Sequence, residues 1–127
     1  MFKNTKAFSS FSVNDLEKAM EFYHQALGLD VIKEDMGVLT VQIGGDNKII
    51  IYPKPDHVPA IFTILNFPVA DLEKTVDKLM EMGIRFEQYS GDLQTNEKGI
   101  LRGNGNGPDI AWFKDPAGNI LSVIQQA

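Results

Sequence analysis

Few side chains in this 127-residue chain can do covalent or metal chemistry, and their types restrict what is available. There is no cysteine. That excludes a disulfide framework, a thiolate zinc site, an iron–sulfur cluster and a cysteine nucleophile. Two histidines are present, His24 and His57. His24 falls just off the apolar stripe of a helix and reads as a boundary or surface residue. His57 falls in a proline-rich stretch, as either a solvated loop residue or a site residue. No serine sits in a G-x-S-x-G elbow, so an α/β-hydrolase nucleophile has no support. Gly103-Asn104-Gly105-Asn106-Gly107 suggests phosphate binding, but it lacks the P-loop lysine and leads into a strand rather than a helix. It reads as a flexible loop. With 17 acidic and 12 basic residues, the net charge is -5 and no basic cluster offsets it. A nucleic-acid binder, which neutralises phosphates, is not expected.

The elements that must position these residues come in two copies. Phe11-Ser12-Val13-Asn14-Asp15-Leu16-Glu17-Lys18 recurs 56 residues later as Phe67-Pro68-Val69-Ala70-Asp71-Leu72-Glu73-Lys74, with six of eight positions identical. Both copies continue as helices that meet a glycine, Gly28 and Gly83. In the first half, strands are expected over 6–13, 29–33, 38–43 and 48–52, with a hairpin turn at 44–47. Asn14 or Asp15 caps the helix, and Glu17 follows Asn14 at capping-box spacing. Leu16, Met20, Tyr23 and Leu27 form its apolar stripe. The stretch 53–59, with three prolines, is the linker. In the second half, strands are expected over 61–67, 84–89, 109–114 and 119–125. Leu72, Val76, Leu79 and Met80 lie on one helix face. A glycine-rich loop spans 91–108, and it leaves the third strand of this half short or displaced. Asp115-Pro116-Ala117-Gly118 fits a type I turn. Each half is thus strand, helix and three strands. The expected organisation is one domain, 1–127, of two βαβββ modules (about 1–55 and 60–127), in the α+β class.

At 14.1 kDa and 43% hydrophobic residues, the chain is one ordinary globular domain with enough core to fold without staples. Residues 1–12 have no long apolar run and no small-residue cleavage site. A secretory signal and a bilayer span are therefore not expected, and the expected location is cytoplasmic.

Val13-x-Asp15-Leu16-Glu17-Lys18, Phe22-Tyr23 and Leu27-Gly28-Leu29 resemble the opening of the vicinal oxygen chelate superfamily. Phe113-Lys114-Asp115-Pro116-Ala117-Gly118-Asn119-Ile120-Leu121 resembles its closing signature. That superfamily includes glyoxalase I, extradiol dioxygenases, and bleomycin- and fosfomycin-resistance proteins. The resemblance covers the whole chain and implies paired βαβββ modules whose curved mixed sheets enclose a cup. In the metalloenzymes of the superfamily, His, Glu or Gln side chains hold a divalent ion there. The matching positions here are Phe8, Ile50, Ile64 and Ser122, and their neighbours are no better as ligands. Such an ion needs imidazole or carboxylate donors. No metal and no cofactor are therefore expected, and catalytic residues are not assigned.

Side chains alternate across a strand. Residues that share parity with those four positions are expected to line the cup: Phe8, Ser10, Ser12, Ile50, Tyr52, Phe62, Ile64, Asn66 and Ser122, together with Ile120 and Ile124. Arg102 and Trp112 are expected near the rim. Phe11, Val13, Leu65 and Phe67, of opposite parity, are expected beneath the helices. The inward set has the composition of a small-molecule pocket, unless Phe8, Phe62 and Ile64 simply fill it. The expected function is a metal-free protein binding a small organic molecule, similar to the resistance proteins. The alternatives are a lyase, isomerase or dioxygenase-type enzyme, metal-free or with an atypical metal site, and a module that acts through its surface. The aromatics favour a ring-bearing ligand. Lys54, His57 and Arg102, if they reach the rim, favour one with an acidic or carbonyl group. A homodimer is expected from open sheet edges and from the resemblance, with no nucleic-acid or membrane partner.

Overall fold

A computed structural model describes all 127 residues and divides them into two compact units, Met1–Pro59 and Ala60–Ala127. The first runs β1 (Ser9–Val13), α1 (Leu16–Met20), a π-helical segment (Glu21–Ala26), β2 (Asp30–Lys33), β3 (Leu39–Ile43) and β4 (Asn47–Pro53). Its sheet has the order β1-β4-β3-β2, with β1 parallel to β4 and the other pairs antiparallel. The second runs β5 (Thr63–Val69), α2 (Leu72–Glu81), a 3-10 turn (Gly91–Leu93), β6 (Ile100–Leu101), β7 (Ile110–Lys114) and β8 (Ile120–Gln125). Its order, β5-β8-β7-β6 with β5 parallel to β8, repeats that of the first unit. The chain is thus α+β, built of two βαβββ modules. No helix is long and apolar enough to cross a membrane.

The repeat extends to atomic detail. Asp15 Oδ1 accepts from the Lys18 N–H at 3.1 Å, and Asp71 Oδ1 accepts from the Lys74 N–H at the same distance. Each aspartate is an N-cap in extended conformation and occupies one of the otherwise unbonded amides at a helix start. Asn14 is therefore not the cap, and the Asn14–Glu17 capping box does not form. The Glu17 side chain instead ion-pairs with Lys33. Gly28 and Gly83 both follow their helices in the left-handed region, at φ 72 and φ 92.

In the first unit, Val13, Leu39, Val41, Ile49 and Ile51 are buried on the sheet face that meets Ala19 and Tyr23 of the helical segment. The Tyr23 ring contacts Phe11 and Phe22, with centroids 5.9 and 5.1 Å away. The π-helical register, marked by Leu27 N–H donating to Phe22 O at 2.9 Å, is absent from the sequence pattern. In the second unit, Leu72 and Val76 of α2 are buried along with Leu121, Val123, Ala111, Phe113 and Ile100. Met80 is not on the buried face of α2 but 46% exposed.

The expected strand over 84–89 does not form. That stretch makes a single bridge, Phe86 to Phe113, and one further bond from Glu87 N–H to Trp112 O at 2.8 Å. Its groups are satisfied locally. Tyr89 N–H donates to Thr95 Oγ1 at 2.8 Å and Thr95 N–H to Tyr89 O at 3.1 Å. Asn96 Oδ1 takes the amides of Lys98 and Ile100 at 2.9 and 3.0 Å. The edge strand of the sheet, Ile100–Leu101, lies inside the segment read as loop. The linker also has structure: Lys54 N–H donates to Val13 O, and His57 N–H closes a turn on Lys54 O.

Candidate functional site

The first sheet buries one face in the core and leaves the other open, with Ile32 and Tyr52 exposed on it. Residues directly opposite in a ladder share a face. In the first unit the register places Ser10, Ile50, Thr40 and Ile32 in one row across all four strands. A second row pairs Ser12 with Tyr52. The expected lining residues Ser10, Ser12, Ile50 and Tyr52 therefore come together. Phe8, just before β1, joins them: with Ile32 and Ile50 it lines a concavity of about 760 Å³. Phe8 is 65% exposed and Ile32 59% exposed, so apolar surface here is not filled in as core.

Polar groups surround this floor. Thr40 Oγ1 donates to Glu34 Oε2 at 3.1 Å, with both side chains on the wall of the concavity. Lys6 and Lys48 also line it. Ser12 Oγ and His57 Nδ1 are hydrogen-bonded at 2.7 Å, so the linker turn carries His57 onto the open face. Lys54, a candidate for rim charge, instead ion-pairs with Asp56. That hydrogen bond lowers the Asp56 carboxyl from its usual range.

In the second unit the register aligns Asn66, Ser122 and Trp112. The Ser122 hydroxyl, fully buried, donates to Asn66 Oδ1. Trp112 is therefore part of the sheet face rather than its rim. Its Nε1–H donates to Thr63 Oγ1 at 3.1 Å, and its ring meets Tyr89 edge-on at 5.5 Å. Ile64 does not follow the expected alternation. A bulge between Thr63 and Leu65 adds one residue to β5, and Thr63 takes the place opposite Ile120. Phe62 precedes the strand and is 66% exposed.

Arg102 also departs from expectation. Its guanidinium donates to Asp109 Oδ2 at 2.9 Å and to Glu73 Oε2 of α2 at 3.2 Å. These bonds, Asp109 first, raise its pKa further. The Asp109 carboxyl is held below its usual range, chiefly by the Gly103 N–H at 2.8 Å and then by Arg102. Arg102 thus joins the glycine loop to a helix and is not in the row of Asn66, Ser122 and Trp112.

The positions that hold metal in the resembling enzymes carry two aliphatic side chains, an exposed phenyl ring and a serine committed to Asn66. No group of three or more His, Asp or Glu side chains is arranged to hold an ion. This donor set does not fit a divalent cation. Sequence reasoning missed Ile32, Glu34, Thr40 and Lys48. The signal was present in the parity of 30–33 and 38–43, once the turn at 44–47 sets the register against Ile50.

Comparison with known proteins agrees with the architecture. The chain is 25% identical over 128 residues to the uncharacterized protein YraH of Bacillus subtilis (strain 168), covering 89% of this chain and 91% of that one. It superposes on TnmS3, an antibiotic binding protein from Streptomyces sp. CB03234, with a TM-score of 0.67 and 22% identity, covering 98% of each chain. Lactoylglutathione lyase from Agrobacterium tumefaciens has a TM-score of 0.66 at 17% identity, covering 97% of this chain and 95% of that one. The model of the Glyoxalase/Bleomycin resistance protein/Dioxygenase superfamily matches residues 8–123. With the repeated modules and the two signatures, that match makes the chain a member of this superfamily.

Proposed function

We propose that the protein binds a small, ring-bearing organic molecule on the open sheet face of its first unit, without a divalent metal. The observation that carries this reading is the concavity in which exposed Phe8 stands with Ile50 and Ile32 beside the Thr40–Glu34 hydrogen bond. Flat apolar walls with a few fixed polar groups suit planar ligands. The antibiotic-binding protein of the same fold supports the reading by likeness. The source of positive charge is revised. Arg102 and Lys54 are taken up by carboxylates. Lys6 and Lys48, which line the concavity, are the cations left to meet a carbonyl or carboxylate.

The test is a screen of ring-bearing acids, neutral carbonyl compounds and bases by thermal shift, followed by calorimetry. Ile50→Trp should fill the floor and weaken a true ligand at least ~10-fold, the effect of losing roughly 1.4 kcal/mol. Unchanged affinity would place the ligand elsewhere. Protein purified without an affinity tag should hold far less than one equivalent of metal. A stoichiometric ion, with a melting shift reversed by chelator, would favour the enzyme alternative. That alternative has one observation on its side: the Ser12–His57 hydrogen bond joins a hydroxyl to a titratable ring on the same face.

A further inference from the structure

The glycine-rich segment at 103–107 has a chemistry of its own. Asn104 and Asn106 are each followed by glycine. The ends of the loop are fixed by Gly103 N–H and Arg102, which hold the two oxygens of Asp109. A Cβ on Gly103 would fall 1.7 Å from the Gly107 carbonyl oxygen, so the backbone closes on itself at the neck. Within the loop, Asn106 N–H donates to Gly103 O at 2.9 Å. The two residues it encloses, Asn104 at φ 51 and Gly105 at φ 88, are both left-handed, as in a type I′ turn. Residues 104–107 are exposed. Neither Gly105 N–H nor Gly107 N–H donates to a backbone carbonyl.

From this geometry we propose that the loop is a site of spontaneous succinimide formation, with Asn106–Gly107 reacting ahead of Asn104–Gly105. The Gly107 amide nitrogen gives its proton to solvent base and attacks Asn106 Cγ. The N–Cγ bond forms, the Cγ–Nδ2 bond breaks, and the amide group leaves as ammonia after taking a proton from solvent. Water then opens the ring at either carbonyl and leaves aspartate or isoaspartate. No oxidant or reductant takes part. Glycine favours the closure because no Cβ crowds the attacking nitrogen. The order follows from the turn. Closure at Asn104 rotates the peptide at the centre of the turn and breaks the Asn106–Gly103 bond. Closure at Asn106 rotates the peptide beyond that donor, and Gly107 absorbs the change. Either product adds a carboxylate to the loop that Arg102 and Asp109 close.

The full chain would be held at mildly alkaline pH, native and in urea, and mapped by peptide mass spectrometry. Labelling with an isoaspartyl methyltransferase would report the isoaspartate. In the native protein Asn106 should convert about five-fold faster than Asn104, the weight of one net hydrogen bond. The ratio should fall toward one in urea. Asn106→Gln should remove the label at 106 and leave the rate at Asn104 unchanged. Equal native rates, faster conversion at Asn104, or conversion only in urea would overturn the proposal.

Discussion

Asp115 shows how one side chain organises a chain reversal. It is only 5% exposed. Its Oδ1 accepts from the amides of Ala117 and Asn119 at 3.0 and 2.8 Å, and its Oδ2 accepts from Asn119 Nδ2 at 3.0 Å. Gly118 N–H closes the turn on Asp115 O at 3.0 Å. Those bonds fix the antiparallel register of β7 and β8, and hence the row that holds Trp112, Ser122 and Asn66. Asp115→Ala would strand buried donors, Asn119 among them at 2% exposure. Leaving buried groups unpaired costs about 1–3 kcal/mol each, with partial relief from water. The expected loss in urea unfolding is roughly 2–4 kcal/mol, and Asp115→Asn, which keeps one acceptor, should lose less. Stability within error of the parent for Asp115→Ala would mean that the turn forms without its carboxylate.

At the scale of elements, Gly99 explains why the second unit departs from the simple pattern. A Cβ there would lie 2.8 Å from both Glu87 O and Phe86 Cβ, and the backbone is left-handed at φ 82. This close approach brings Ile100 into the core beside Phe113 and lets Phe86 pack on Phe113 at 5.5 Å without a strand of its own. Gly99→Ala should therefore cost about 2–4 kcal/mol, combining left-handed strain with overpacking. It should also speed amide exchange at Ile100 and Glu87 more than in β8. Uniform exchange changes would contradict that assignment. The contrast with the helices is instructive. Asp15 and Asp71 act through the next few residues, so Asp15 was legible as one of two candidate caps, along with the two terminal glycines and the turn after β7, whereas the capping box expected of Asn14 and Glu17 does not form. The shared faces of Ser10 with Ile50 and of Asn66 with Ser122 were legible too, from strand alternation counted from the positions that the family resemblance marks. The bulge at Ile64, the π-helical register and the exchange of 84–89 for Ile100–Leu101 were not. Each depends on contacts between residues far apart in sequence or on side chains competing for backbone groups. Arg102 was misplaced for the same reason: its partners Glu73 and Asp109 come from a helix and a loop.

For the whole molecule, the open question is what covers its exposed surfaces. Each four-stranded sheet has two edges: β1 and β2 in one, β5 and β6 in the other. Edges left bare recruit other strands, and proteins commonly cover them. Large apolar side chains are also exposed around the chain crossing between the units, with Ile61 at 95%, Val58 at 80% and Phe62 at 66%. A chain with a net charge of -5 has some protection from nonspecific association. These features predict a specific homodimer. Sedimentation at micromolar concentration should give a mass near twice 14.1 kDa. Because association stabilises the folded state by mass action, the melting temperature should rise with protein concentration. Ile61→Lys should weaken the dimer if that region is its contact, and the variant's melting temperature should lose its concentration dependence while far-ultraviolet dichroism is retained. A parent protein that sediments as a monomer, with a melting temperature independent of concentration, would refute the dimer and leave these apolar side chains to another partner.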